Sequence, residues 1–196
     1  MIDSLTIEEF TACGSHQQGH FLLSSGLHSS DYLQCALYLA EPRRAARAGS
    51  LLAAALAETV SEIDLVVSPA MGGLIIGHET ARALGLPFLF TERADGEMVL
   101  RRGFAVASGQ RLIIVEDVVT TGKSTREVIE ILQADGAEVV GLASMVNRSG
   151  VPNPFEPRPY RALLEASFPT WNPDDCPLCR DGVPIAKPGS RQITKI

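Results

Sequence analysis

Val115-Glu116-Asp117-Val118-Val119-Thr120-Thr121-Gly122-Lys123-Ser124-Thr125 is the stretch that decides the fold. It begins at the end of Arg111-Leu112-Ile113-Ile114-Val115, an apolar run of strand length. It ends where a helix starts, from about Ser124 to Ala134, stopped by Asp135-Gly136. Open α/β sheets bind ligands where a buried strand passes through a short polar loop into a helix. Here the loop places small hydroxylated residues and a glycine at the helix N-terminus. Free backbone N–H groups and the positive end of the helix dipole make that position a site for an anion such as phosphate.

Gly122-Lys123-Ser124 invites comparison with the nucleotide P-loop. That motif needs a glycine five positions before its second glycine, and this chain has Asp117 there. Two adjacent carboxylates would repel a triphosphate. They suit a ribose, whose paired hydroxyls can donate to them while its 5-phosphate lies in the loop beyond. An ordinary capped helix would need only one of these residues.

Outward from this unit, apolar runs alternate with helical stretches, as in βαβ units around a parallel sheet. A helix is expected from Pro42, a good first helical residue, through Ala45, Ala48, Leu51, Leu52, Ala55 and Leu56. Leu65-Val66-Val67 reads as a strand, Pro69 to Gly73 as a tight loop, and Leu74 to Leu84 as a helix stopped by Gly85 and Pro87. Phe88-Leu89-Phe90 reads as the next strand, Met98-Val99-Leu100 as a short one, and Val139 to Val146 as the last. Phe21 to Tyr38 suggests small strands and turns, and 151–175 is proline-rich. The expected organisation is a single domain over 1–196: an α/β core at about 41–150, a hood from about 1–40 and 151–175, and a tail at 176–196.

The chain has 196 residues, 45% of them hydrophobic, and 17 Lys+Arg against 23 Asp+Glu, a formal net charge of −6. That balance argues against nucleic acid as a partner. Met1-Ile2-Asp3-Ser4-Leu5 has no basic-then-apolar pattern, and no apolar run approaches a membrane span. The expected location is therefore the cytoplasm, with Cys13, Cys35, Cys176 and Cys179 as free thiols rather than a disulfide framework.

The apolar strand, the two acidic residues, the two apolar residues and then Thr-Thr-Gly-Lys-Ser resemble the signature of type I phosphoribosyltransferases. The resemblance implies that fold: a central, mainly parallel sheet flanked by helices, with a small hood from both chain ends. It also implies that Glu116 and Asp117 hold the ribose hydroxyls of phosphoribosyl pyrophosphate (PRPP), and that Val118, Val119, Thr120, Thr121, Gly122, Lys123 and Ser124 wrap its 5-phosphate. By the same resemblance, the loop with Met71 and Gly72 contacts pyrophosphate, and Arg93, with Arg101 and Arg102 nearby, belongs to a loop that closes over it. Gly19 to Gly26, His28 to Tyr32, and Asn147-Arg148 are similar to orotate phosphoribosyltransferases. In that family an arginine at the position of Arg148 pairs with the orotate carboxylate, and Thr120 would touch the base. Asp117, Glu116 and Arg93 are the implied catalytic groups. Mg²⁺ would be held mainly through substrate oxygens, and the family is dimeric.

The chain departs from that pattern. Members of the family carry a lysine where Ser24 stands and another where Gly72 stands. Their mobile loop holds Arg-Lys, a further Lys and a His, whereas here Arg93 is followed by Ala94-Asp95-Gly96-Glu97. Transfer to another base, or a PRPP-binding regulator without activity, are the alternatives. Cys176-Pro177-Leu178-Cys179 has zinc spacing but no second pair, so zinc, a redox pair and free thiols all remain readings. Cys13 and Cys35 would complete a zinc site if the two chain ends pack together. His16, His20, His28 and His78 show no local ligand spacing.

Overall fold

The computed structural model describes residues 4–23 and 25–188. In chain order the elements are α1 (Ile7–Ala12), β1 (His16–Leu22), β2 (His28–Leu33), α2 (Cys35–Leu39), α3 (Pro42–Ala57), β3 (Leu65–Pro69), α4 (Gly73–Leu84) and β4 (Phe88–Ala94). There follow β5 (Glu97–Leu100), β6 (Arg111–Val119), α5 (Lys123–Ala134), β7 (Glu138–Asn147), β8 (Tyr160–Glu165), β9 (Thr170–Trp171) and α6 (Pro177–Arg180).

The strand that opens the deciding motif lies at the centre of a 6-stranded sheet ordered β5-β4-β3-β6-β7-β8. Every pairing in it is parallel except β4–β5. Both faces are covered, which is why β3 and β6 read as unbroken apolar runs. Val66, Ile113 and Val115 point to the side of α3 and α4. Leu65, Val67, Leu112 and Ile114 point to the side of α5, whose Val128 and Leu132 are fully buried. Pro42 opens α3 as expected, and the Glu41 side chain caps it by accepting from the backbone N–H groups of Arg43 and Arg44.

The β6 strand runs four residues further than its apolar run predicts. Glu116, Val118 and Val119 pair with Ser144, Val146 and Asn147 of β7, so the ladder carries both carboxylates along the strand instead of leaving them in the loop. Pairing between β3 and β6 ends at Val67 and Ile114. Beyond that point the chain leaves β3 for β4 on one side and reaches β6 on the other. This is the topological switch point, where a crevice opens outside the carboxyl ends of the strands.

The proline-rich stretch 151–175 divides, contrary to its expected place wholly in the hood. Tyr160–Glu165 is β8, parallel to β7 at the edge of the main sheet, with Tyr160 and Leu163 buried. Only Thr170–Trp171 joins β1 and β2, in a 3-stranded sheet ordered β1-β2-β9. Prolines flanking an edge strand do not interrupt its ladder, which is how composition concealed it. Two short helices, α1 and α2, were also not anticipated; Phe10 and Tyr38, stacked with ring centroids 4.7 Å apart, are what they bury.

Candidate active site

Four buried side-chain nitrogen or oxygen atoms have no hydrogen-bond partner among the described residues: Ser68 Oγ, Thr91 Oγ1, Glu116 Oε2 and Arg148 Nε. Ser68 is in β3, Thr91 in β4 and Glu116 in β6, while Arg148 follows β7. All four therefore lie toward the carboxyl edge of the parallel strands. Ser68 Oγ is packed against Gly77 of α4, whereas Glu116 and Arg148 belong to the motif strand and to the residue bonded to it. Buried polar atoms are almost always paired, so these two orphans mark a place for a ligand.

Around this edge the loop from β6 to α5 encloses a cavity of 90 Å³, lined by Glu116 and by every residue from Val118 to Thr125. Gly122 adopts φ 71° at the N-cap of α5, the left-handed region open to glycine. A Cβ there would lie 2.8 Å from the Phe155 ring and 2.9 Å from Arg126 Nη1. The N-cap therefore contributes no side-chain acceptor; the Lys123 N–H is taken by Thr121 Oγ1 at 3.3 Å, and the N–H groups of Ser124 and Thr125 in the same first turn face an incoming anion. A larger cavity, of 410 Å³, lies beside α1 and α3 between Glu9, Tyr38 and Arg44; it touches none of the motif residues.

Across the crevice, Met71 is 82% exposed and Gly72 meets Asp117. A Cβ on Gly72 would stand 2.5 Å from Asp117 Oδ1, so the carboxylate occupies the space a side chain would need. Asp117 Oδ1 also accepts from the Val118 backbone N–H at 2.8 Å. Burial, with the neighbouring Asp117 carboxylate, pushes the Glu116 carboxyl well above the ordinary carboxylate range.

Arg148 closes the other end. Its backbone N–H donates to Val119 O at 2.7 Å, tying it to the motif loop. Its guanidinium lies 4.7 Å from the Phe168 ring centroid, and burial lowers its pKa. Asp31, Cys35 and Tyr32 favour its cationic form, and Tyr32 feels both Asp117 and Arg148. Strand β2 therefore walls the crevice with Asp31 and Tyr32. Asp31 is itself held by His16 Nε2 at 2.8 Å.

The phosphoribosyl transferase domain profile matches residues 37–156. The chain is 51% identical to the orotate phosphoribosyltransferase of Carboxydothermus hydrogenoformans over 89% of this chain and 91% of that one. It is 47% identical to that of Thermotoga maritima, over 92% and 95%. The chain belongs to the orotate phosphoribosyltransferase family. Among solved structures, the orotate phosphoribosyltransferase of Aeropyrum pernix superposes with a TM-score of 0.70 at 24% identity, covering 82% of this chain and 93% of that one. An adenine phosphoribosyltransferase from Thermoanaerobacter pseudethanolicus gives 0.61 at 19%, covering 69% and 88%. At those identities the structures share the fold.

Within that family frame, the residues marked by sequence fall into two groups. Glu116, Asp117, the loop to Ser124, Gly72 and Arg148 converge on the crevice. Arg93 does not line its cavity: it is bonded to the Glu127 carboxylate of α5 and to Gly96 O. The segment around it is no open loop. β4 and β5 form a hairpin whose turn, Asp95-Gly96, has φ 52° and 89°, the pattern of a tight two-residue turn. Arg101 and Arg102 fold back onto Glu92. Ser24 lies outside the described residues. Phe168, from the segment between β8 and β9, carried no sequence signal.

Glu116 yields a pH prediction. Its folded pKa is raised, so between the ordinary carboxylate value and that raised value the folded chain binds more protons than the unfolded one. Its contribution is present at low pH and lost as pH rises through the folded value. Glu116→Gln should therefore match the wild type in thermal stability near pH 4 and exceed it near pH 8, measured on the ligand-free protein by calorimetry. Equal melting curves at the higher pH would show the carboxyl to be solvated.

Proposed function

We propose that this chain transfers the 5-phosphoribosyl group of PRPP to orotate, giving orotidine 5′-phosphate and pyrophosphate, a step of pyrimidine (UMP) synthesis. The observation that carries this reading is an acidic strand end beside a partly buried arginine whose Nε has no hydrogen-bond partner among the described residues. A neutral base has no anionic group for such an arginine, whereas orotate presents a carboxylate matched to its fork.

In this reading, the loop Val118 to Ser124 takes the 5-phosphate on the N–H groups of α5, and Glu116 and Asp117 accept from the ribose hydroxyls. Pyrophosphate leaves C1 with the bonding electrons, positive charge spreads over C1 and the ring oxygen, and N1 of orotate forms the new bond as its proton passes to the departing pyrophosphate. The carboxylates below the ring stabilise that charge. Thr120 and Arg148 hold the base, and Met71-Gly72 faces the departing pyrophosphate. Glu116 Oε2, with no protein partner, and the adjacent Asp117 fit a Mg²⁺ bound mainly through substrate oxygens, which would neutralise the leaving group. Arg93 is the positive charge the hairpin can offer pyrophosphate once freed from Glu127, since an exposed ion pair of this kind is weak enough to exchange.

The active form is a homodimer. Ile75 in the first turn of α4 and Leu37 in α2 are large apolar side chains left exposed, as a partner-covered face would require. All four cysteines are free, which suits the cytoplasm. No helix among the described residues is long and apolar enough to cross a membrane.

The test is loss of orotate absorbance on adding PRPP and Mg²⁺, with adenine, hypoxanthine, guanine, xanthine and uracil in parallel. Turnover with orotate alone is expected. Turnover with another base would reassign the substrate, and PRPP binding without turnover on any base would make the chain a regulator.

A further inference from the structure

Two imidazoles and two thiols meet in the hood. His20 is in β1 and His28 in β2, while Cys176 is the N-cap of α6 and Cys179 lies within it. One ligand atom from each lies within 4.8 Å of all the others. His20 Nε2 is 2.9 Å from His28 Nδ1, 3.5 Å from Cys176 Sγ and 3.7 Å from Cys179 Sγ. Cys179 Sγ is 3.3 Å from His28 Nδ1. A tetrahedral zinc, with Zn–S near 2.3 Å and Zn–N near 2.0 Å, holds its ligand atoms about 3.3–3.8 Å apart. Four atoms on separate elements thus already have nearly the spacing of one coordination shell.

The surroundings set the protonation that a metal needs. His20 Nδ1 lies 2.8 Å from Val183 O. A carbonyl only accepts, so Nδ1 carries the proton and Nε2 presents its lone pair to the cluster. Metal-bound histidines are commonly oriented by a carbonyl in this way. His20, His28 and Cys176 are buried. The tail's backbone is laced to the same hairpin, with Ala186 N donating to His20 O at 2.8 Å and Leu22 N to Ala186 O at 2.9 Å.

We propose that His20, His28, Cys176 and Cys179 form a structural zinc site that fastens the C-terminal tail to the hood. Cys13 and Cys35, expected to complete the Cys176–Cys179 pair, do not take part: Cys13 Sγ contacts Phe10 O, and Cys35 is in the core beside Tyr38. Four protein ligands leave no open position, so the ion is structural and not catalytic. Binding releases one proton from each thiol, and sulfur and imidazole ligands select zinc over the magnesium that the substrate carries. The site stands apart from the reaction crevice and does not depend on the function proposed above. It bears on the crevice through β2, which carries both His28 and the wall residues Asp31 and Tyr32.

The test is elemental analysis of the full chain, expressed with zinc available and purified under reducing conditions without chelator. About one zinc per chain is expected in the wild type and in a Cys13→Ser control. Cys179→Ser and His28→Ala should fall to background. Cys179 is exposed, so its serine variant leaves the core intact. Cobalt(II) offered to the metal-stripped wild type should give the visible bands of a tetrahedral thiolate site, absent in Cys179→Ser. Stripping should also lower the melting temperature and open the tail to limited proteolysis. A wild type that takes up neither zinc nor cobalt, a metal content unchanged in Cys179→Ser, or a native mass showing a Cys176–Cys179 disulfide would each overturn the proposal.

Discussion

Arg148→Ala is expected to raise the Michaelis constant for orotate by about 10² to 10³-fold while leaving that for PRPP within about threefold. The size follows from where the guanidinium lies. It is stacked on Phe168 and partly dehydrated before any ligand arrives. Truncation would leave the orotate carboxylate in that dry corner without its partner, a loss of about 3–4 kcal/mol. The selectivity follows from the backbone. Arg148 reaches the phosphate loop through its N–H to Val119 O, and alanine keeps that bond. Arg148→Lys keeps the charge but loses the fork, so it should fall between the two. Initial rates with each substrate varied in turn decide the matter. Equal damage to both constants would sink the base-carboxylate role.

Asp117→Asn should weaken PRPP by roughly 10²-fold, about 3 kcal/mol, with the orotate constant little changed. Asparagine can still accept from the Val118 N–H through its oxygen, so the loop should keep its shape. What it loses is the charge and an acceptor oxygen toward the ribose. Gly72→Ala attacks the same carboxylate from the opposite side, since the new Cβ would stand 2.5 Å from Oδ1. The two variants should share one defect, and their double mutant should cost less than the sum. PRPP binding measured by calorimetry provides the check. Wild-type affinity in Asp117→Asn would remove the carboxylate from the sugar site.

The core was legible in sequence because β3 and β6 are buried on both faces and read as continuous apolar runs. The helices α3, α4 and α5 were legible through their caps and breakers. The motif from Glu116 to Ser124 was legible because its chemistry is contiguous. What sequence concealed was whatever depends on distant partners. Tyr160–Glu165 looked like part of a proline-rich cap, and only its pairing with β7 makes it a core strand. His20 and His28 have no ligand spacing along the chain; a β1–β2 hairpin and a returning tail bring them to two cysteines some 150 positions away. Phe168 lacks a motif altogether, and its role as a platform for Arg148 exists only in the fold. Gly72 read as a missing lysine, whereas its contact with Asp117 shows that this carboxylate rotamer and any side chain at 72 exclude one another.

The two-residue turn at Asp95-Gly96 makes the arm that carries Arg93 a paired unit rather than loose chain. A hairpin paired from Thr91–Leu100 to Ala94–Glu97 moves as one body, and the largely exposed stretch 101–110 that follows it has no helix or strand. The cations of this region, Arg93 and Arg102, are parked on Glu127 and Glu92 at the surface, so reaching pyrophosphate requires those side chains to trade carboxylate partners. Such rotamer exchanges run in picoseconds to nanoseconds, against microseconds to milliseconds for the closing of a lid. The trading of ion pairs is then the fast event, and any travel of the hairpin as a body is the slow one.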